Sequence, residues 1–228
     1  MEMGRKAVSL TTLGKLQEAE AIYREMIAIG STNQAVFGNL AAVCGMQGKS
    51  EEVIELLNKA IDLKHDYPDA HNNLGVALQK KGDINAAINS FNTALKLKPN
   101  YPVAHYNLGT ALQEQGELTA AIASFNKAIE LKPDYADAHN NLGTALQKTG
   151  NLTTAISYYN TCIRLNPDYP DAYINLGNAL QEQGELTAAI ASFNKAITLK
   201  PDCPDALFNS SLTMLLGGDY KNGWEKYE

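Results

Sequence analysis

Asparagine recurs at Asn39, Asn73, Asn107, Asn141, Asn175 and Asn209, each 34 residues after the last. A primary amide donates to a carbonyl and accepts from an N–H, so a row of them can hold the backbone of an extended peptide. The residue just before each varies: Gly38, Asn72, Tyr106, Asn140, Ile174 and Phe208. A constant amide beside a changing side chain is what a sequence-tolerant clamp with local side-chain pockets requires. The same asparagines can also bridge neighbouring copies and serve the stack alone, and the two roles are compatible.

Other reactive types follow the same period without forming a site. His71, His105 and His139 share a column with Phe37, Tyr173 and Leu207. Helical layers lie about 8 to 10 Å apart, whereas zinc needs its ligands about 2 Å from one point, so these rings are expected to pack and no metal is expected. Cys44, Cys162 and Cys203 are odd in number and fit no metal spacing; Cys162 stands in a column otherwise held by Ala60, Ala94, Ala128 and Ala196, the place of a small buried residue. Asp69, Asp137, Asp171 and Asp205 fall in the first turns of expected helices and Lys64, Lys98, Lys132 and Lys200 at helix ends, where each complements the helix dipole. Glu117-Leu118-Thr119 and its copy have no histidine or nucleophile at a useful offset, and no glycine-rich phosphate loop follows a strand. No catalytic residue and no cofactor is expected in this chain.

The 228 residues are 45% hydrophobic and 19% charged, with a net charge of −6, which suits a folded core and leaves no basic patch for nucleic acid. The opening MEMGRKAVSL has no apolar run after its basic residues, and no stretch approaches the roughly 20 apolar residues that cross a bilayer. A cytoplasmic location is expected.

The elements that must position these residues follow from the period. Residues 111–129 and 179–197 both read ALQEQGELTAAIASFNKAI, and Gly14, Gly48, Gly82, Gly116, Gly150, Gly184 and Gly218 keep an unbroken step of 34. One domain, 1–228, is expected, made of units near 1–33, 34–67, 68–101, 102–135, 136–169, 170–203 and 204–228. In the unit from Ala136, Ala138, Leu142, Ala145 and Leu146 form the stripe of one helix, and Leu152, Ala155, Ile156, Tyr159 and Ile163 that of a second. Gly150 is placed to end the first helix in a left-handed conformation, and Asn166-Pro167 to stop the second. Gly75, Gly109, Gly143 and Gly177 sit inside helices, where glycine costs about 1 kcal/mol against alanine. The rings of Phe91, Phe125, Tyr159 and Phe193 are expected to fill the space these glycines leave. One such hairpin buries too little to offset its own ordering entropy, so neighbours must complete its core.

Leu-Gly in the first helix, followed at fixed offsets by Gly, Ala, Phe or Tyr, Ala and Pro within 34 residues, closely resembles the tetratricopeptide repeat. The resemblance covers essentially the whole chain and implies an all-α, right-handed αα-superhelix, a solenoid of about seven hairpins with the last incomplete. It departs at the ends: Ala7, Met26, Ala41, Val53 and Leu57 early, and Ser210-Ser211 and Leu215-Leu216 late. The closing LLGGDYKNGWEKYE resembles the final repeat that often precedes a catalytic region in bacterial tetratricopeptide proteins, and the interior AHNNLG and AYINLG motifs are similar to the repeat arm of O-linked N-acetylglucosamine transferase-like proteins. That resemblance implies the six asparagines as a peptide-holding ladder.

At about 100° per residue the first helix of each unit leaves positions 2, 5, 6, 9, 12 and 13 opposite its buried leucines. The candidate binding residues are therefore the six asparagines together with Asn72, Tyr106, Asn140 and Ile174 at position 5 and Thr110, Thr144 and Asn178 at position 9. No Lys or Arg occupies position 5, and Lys80 and Lys148 alternate with Glu114 and Glu182 at position 13, which disfavours a focused anion clamp. The expected function is a noncatalytic scaffold that binds an extended peptide or protein segment in its concave groove. Two alternatives stand beside it: the substrate-recognition arm of a larger glycosyltransferase with its chemistry downstream, and a module that self-associates through the seventh unit, where Leu215, Leu216 and Trp224 offer apolar surface.

Overall fold

A computed structural model of the chain describes residues 2–227; Glu228, the last residue of the seventh unit, lies outside them. Every element among the described residues is a helix: α1 (Glu2–Thr12), α2 (Leu16–Ala28), α3 (Gln34–Met46), α4 (Ser50–Leu63), α5 (Pro68–Lys81), α6 (Ile84–Leu97), α7 (Pro102–Gln115), α8 (Leu118–Leu131), α9 (Ala136–Lys148), α10 (Leu152–Leu165), α11 (Pro170–Glu182), α12 (Leu186–Leu199), α13 (Pro204–Leu216) and α14 (Tyr220–Tyr227). They group into two compact units, Met1–Gln115 and Gly116–Glu228.

Local chemistry sets the boundaries. Gly150 takes φ +80°, and the Asn151 N–H reaches back to the Leu146 carbonyl at 2.9 Å, satisfying a carbonyl that the end of α9 leaves open. Asn166, before Pro167, is extended at φ −137° and ψ 90°, which ends α10. Pro68, Pro170 and Pro204 open α5, α11 and α13, where the missing N–H has no partner to lose.

Each unit is a piece of an αα-solenoid. In the first, α1 pairs with α2, α3 with α4 and α5 with α6, and the hairpins join through α2–α3, α4–α5 and α6–α7; in the second, α9–α10, α11–α12 and α13–α14 pair and join likewise. Connections of two to five residues force such neighbours to run antiparallel. The buried clusters cross the repeat boundaries. Phe37, Ala41 and Leu57 share one core with Ala70, Leu74 and Ala77 of the next hairpin. Ala155 and Tyr159 share another with Leu176 and Ala179. Neighbours complete each hairpin's burial, as the sequence requires.

The helix-interior glycines do what the composition implies. A Cβ on Gly75 would lie 2.5 Å from the Phe91 ring, on Gly143 2.6 Å from Tyr159, and on Gly177 2.5 Å from Phe193. All three rings are fully buried.

Candidate functional site

The odd-numbered helices carry the asparagines. Within each unit they also approach one another directly, α1 with α3, α5 with α7, α9 with α11 and α11 with α13, whereas the even-numbered helices make no comparable approach. Positions facing along this row therefore meet their counterparts in the next repeat.

That proximity gives the asparagine column a role within the stack. Asn107 Nδ2 donates to Asn72 Oδ1 at 3.0 Å, and Asn72 Nδ2 in turn donates to Asn73 Oδ1 at 3.3 Å. The second unit repeats the relay: Asn175 donates to Asn140 at 3.0 Å and Asn140 to Asn141 at 3.3 Å. Where position 5 is Ile174, Asn209 Nδ2 turns to Asn178 Oδ1 at 3.0 Å. In the links from Asn107, Asn175 and Asn209 an amide spans the boundary between repeats.

The open-stripe expectation fails at two residues. Asn72 and Asn140 are only 4% and 5% exposed, because the next repeat's asparagine covers them. Ile174 is half-buried against the cluster of Ala196, Cys203 and Ala206. Thr110 and Thr144 are half-buried, their hydroxyls donating to the carbonyls of Tyr106 and Asn140, four residues back, at 3.1 and 3.2 Å. Asn73 is exposed, and Asn39, Tyr106, Asn107, Asn141, Asn175, Asn178 and Asn209 are half-buried. Helical periodicity assigns a direction from the helix axis but does not register the side chain arriving from the next layer.

The histidines tie turns to helices. His71, His105 and His139 each place Nε2 on a carbonyl six residues upstream, that of His65, Pro99 and Pro133, at 3.1, 2.9 and 2.9 Å. The first-turn aspartates also meet groups beyond the helix dipole: Tyr169 Oη donates to Asp137 at 3.0 Å, and Asp69 lies near the Tyr101 phenol. Desolvation is the main cause that raises the Tyr101 phenol, and Lys98 lies over its ring at 4.2 Å. The three cysteines are free and buried, and burial raises the Cys162 thiol to about 11.

One charged cluster is invisible in the 34-residue columns. Lys49 Nζ donates to Glu20 at 2.7 Å, and Arg24 donates to Glu20 at 2.8 Å and to Glu52 at 2.6 Å. These hydrogen bonds, that from Lys49 foremost, hold the Glu20 carboxyl at about 2. The Cys44 thiol donates to Glu52 at 3.6 Å and is pushed up to about 11, first by burial and then by the neighbouring carboxylate charges. Glu20, Cys44 and Glu52 bring their ligand atoms within 4.8 Å of one another, but two cations already neutralise both carboxylates. The spacings from Glu20 to Lys49 and from Arg24 to Glu52, 29 and 28 residues, fall short of the period, so column reading misses them.

The profile of the TPR repeat matches residues 44–82, 78–116 and 111–150, and that of the tetratricopeptide repeat matches 134–202. No individually curated protein matches the chain. Among solved structures, YrrB, a TPR protein with an unusual peptide-binding site, is 23% identical over 81% of this chain and 95% of its own, with a TM-score of 0.66. MamA is 27% identical over 71% of this chain and 95% of its own, at 0.65. The APC/C hetero-tetramer Cut9-Hcn1 superimposes at 0.83 with 16% identity, over 93% of this chain and 42% of that one.

Proposed function

The chain belongs to the tetratricopeptide repeat family, and from that premise we propose that it is a noncatalytic scaffold that binds an extended peptide along the asparagine-bearing face of its odd-numbered helices. Repeats of this family serve generally as interaction scaffolds. The carrying observation is the unused acceptor of three ladder amides. Asn107, Asn175 and Asn209 spend one N–H on a neighbouring repeat, while their Oδ1 atoms carry no hydrogen bond among the described residues. Each can accept from the N–H of an extended strand without breaking the stack, which joins the two roles in one residue. The peptide-binding site of YrrB, a structure of the same fold, is consistent with this use.

The test must separate binding from folding. Asn39 is half-buried and its side chain makes no hydrogen bond to a neighbouring repeat among the described residues, so replacing it by alanine leaves the melting temperature within about 2 °C. Peptides of twelve residues selected against the native protein by display are expected to bind this variant at least tenfold more weakly. Equal binding places the interaction elsewhere and rejects the asparagine face.

The second reading, a recognition arm of a larger O-linked N-acetylglucosamine transferase-like enzyme, draws on the asparagine column. An open reading frame that continues from Glu228 into an α/β domain supports it, and a stop codon there removes it. Self-association through the seventh repeat draws on Leu216 and Trp224, which are 61% and 56% exposed. Light scattering of the native chain against Trp224→Ser across concentration tests it.

A further inference from the structure

Three of the second repeat's departures from its siblings remove volume, against the smaller additions at Ala41 and Val53. Ser50 stands where the first and the third to sixth repeats have Leu16, Ile84, Leu118, Leu152 and Leu186. Leu57 stands where they have Tyr23, Phe91, Phe125, Tyr159 and Phe193, and Gly45 where four of them have Gln79, Gln113, Gln147 and Gln181. The shorter Leu57 also leaves room for the methyl of Ala41, in a column where a Cβ at Gly75, Gly143 or Gly177 would strike the ring.

The three losses converge on one cavity of about 230 Å³ between the second and third repeats, walled by Ala41, Gly45, Ser50, Val53, Leu57 and Ala77. Asn73 and Lys80, both exposed, are its polar members on the α5 side. Its position follows from the packing: α3 and α5 lack the close approach that α1–α3 and α5–α7 make in the same unit. Gly45, Asn73 and Lys80 are positions 12, 6 and 13 of their repeats, so the cavity opens on the asparagine face. An apolar cavity of about 150 Å³ already holds a benzene ring, which makes this one large enough for a phenyl group. No carboxylate lines it, and Lys80 makes no ion pair among the described residues.

We propose that this cavity takes a phenylalanine side chain of the bound peptide while Lys80 pairs with a carboxylate next to it in the peptide. The assignment rests on the asparagine-face reading and sharpens it to a motif: a phenyl ring flanked by acidic residues. The guest ring enters the layer where the second repeat lacks its own.

The array supplies its own control, because Ser50→Leu restores the residue of the other repeats and fills the cavity without foreign chemistry. The probe is a fluorescein-labelled twelve-residue Gly/Ser peptide with Glu-Phe-Glu at its centre, titrated with the full chain and read by fluorescence polarisation. Saturable binding is expected, weakened at least tenfold by Phe→Ala in the peptide and at least tenfold by Ser50→Leu in the protein, with the melting temperature of that variant unchanged or raised. Lys80→Glu weakens binding about twofold to fivefold, as befits an exposed ion pair, and shifts preference toward Lys-Phe-Lys. Absence of binding, or binding indifferent to Ser50→Leu or to the phenylalanine, overturns the assignment. If display-selected peptides ignore Ser50→Leu but lose affinity in the Asn39→Ala variant, the asparagine face stands and the cavity assignment alone falls. A native chain that dimerises until Ser50→Leu is introduced has a second copy in the cavity, which also overturns it.

Discussion

Glycine and ring are coupled within single repeats, and that coupling has a measurable cost. Adding a methyl at Gly177 places it 2.5 Å from Phe193, and the ring is fully buried with nowhere to retreat. Gly177→Ala is expected to destabilise the chain by about 1 to 3 kcal/mol in urea unfolding, the range of an overpacked core. Adding Phe193→Leu recovers part of that loss, because Ala41 and Leu57 already form such a pair. The pairing was legible in the sequence, since an interior helical glycine repeated at one column has few other reasons to persist. Glu20 was not legible, because its partners Arg24 and Lys49 sit outside the period. Its carboxyl is held at about 2 against an ordinary 4.5, so the folded state favours the charged form. The contribution is complete above about pH 4.5 and is lost as the pH falls toward 2. Glu20→Gln should lower stability by about 1 kcal/mol at pH 7, where Lys49 and Arg24 are still partly solvated. The variant should match the native chain near pH 2, as thermal melts across that range will read.

Between helices, the asparagine column carries register as well as recognition. Asn175 covers Asn140, which is 5% exposed and depends on it for a partner to Oδ1. Asn175→Ala therefore leaves a buried acceptor unsatisfied, at a cost of about 1 to 3 kcal/mol. Asn39→Ala, at a half-buried amide whose side chain makes no hydrogen bond among the described residues, costs under about 0.5 kcal/mol. Chemical denaturation of the two variants side by side checks the contrast, and equal losses would mean that the inter-repeat bond contributes nothing. Sequence columns placed all six asparagines on the open side of the first helices, and could not show that two residues of position 5 lie beneath them. A helical projection contains one helix, whereas the burial of Asn72 and Asn140 is made by the next.

Across the array, stability belongs to the junctions, because each described core draws residues from two hairpins. A synthetic peptide of residues 136–169, one complete hairpin, should show the circular dichroism of an unfolded chain at 25 °C, since the surfaces of Ala155 and Tyr159 then face water instead of Leu176 and Ala179. Helicity comparable to the intact chain would show that single hairpins stand alone. The amino-acid order by itself determined the helical hairpins, their starts and stops, the glycine beneath the interior rings and the face that bears the asparagines, because all of these are set by bonds and steric limits within about 34 residues. Only the tertiary structure decided which amides are consumed between repeats, where the Glu20 cluster gathers and that Gly45, Ser50 and Leu57 lose their volume into one shared cavity. Those outcomes depend on distances between layers, and a distance between layers is fixed by the packing of side chains that are remote in the chain.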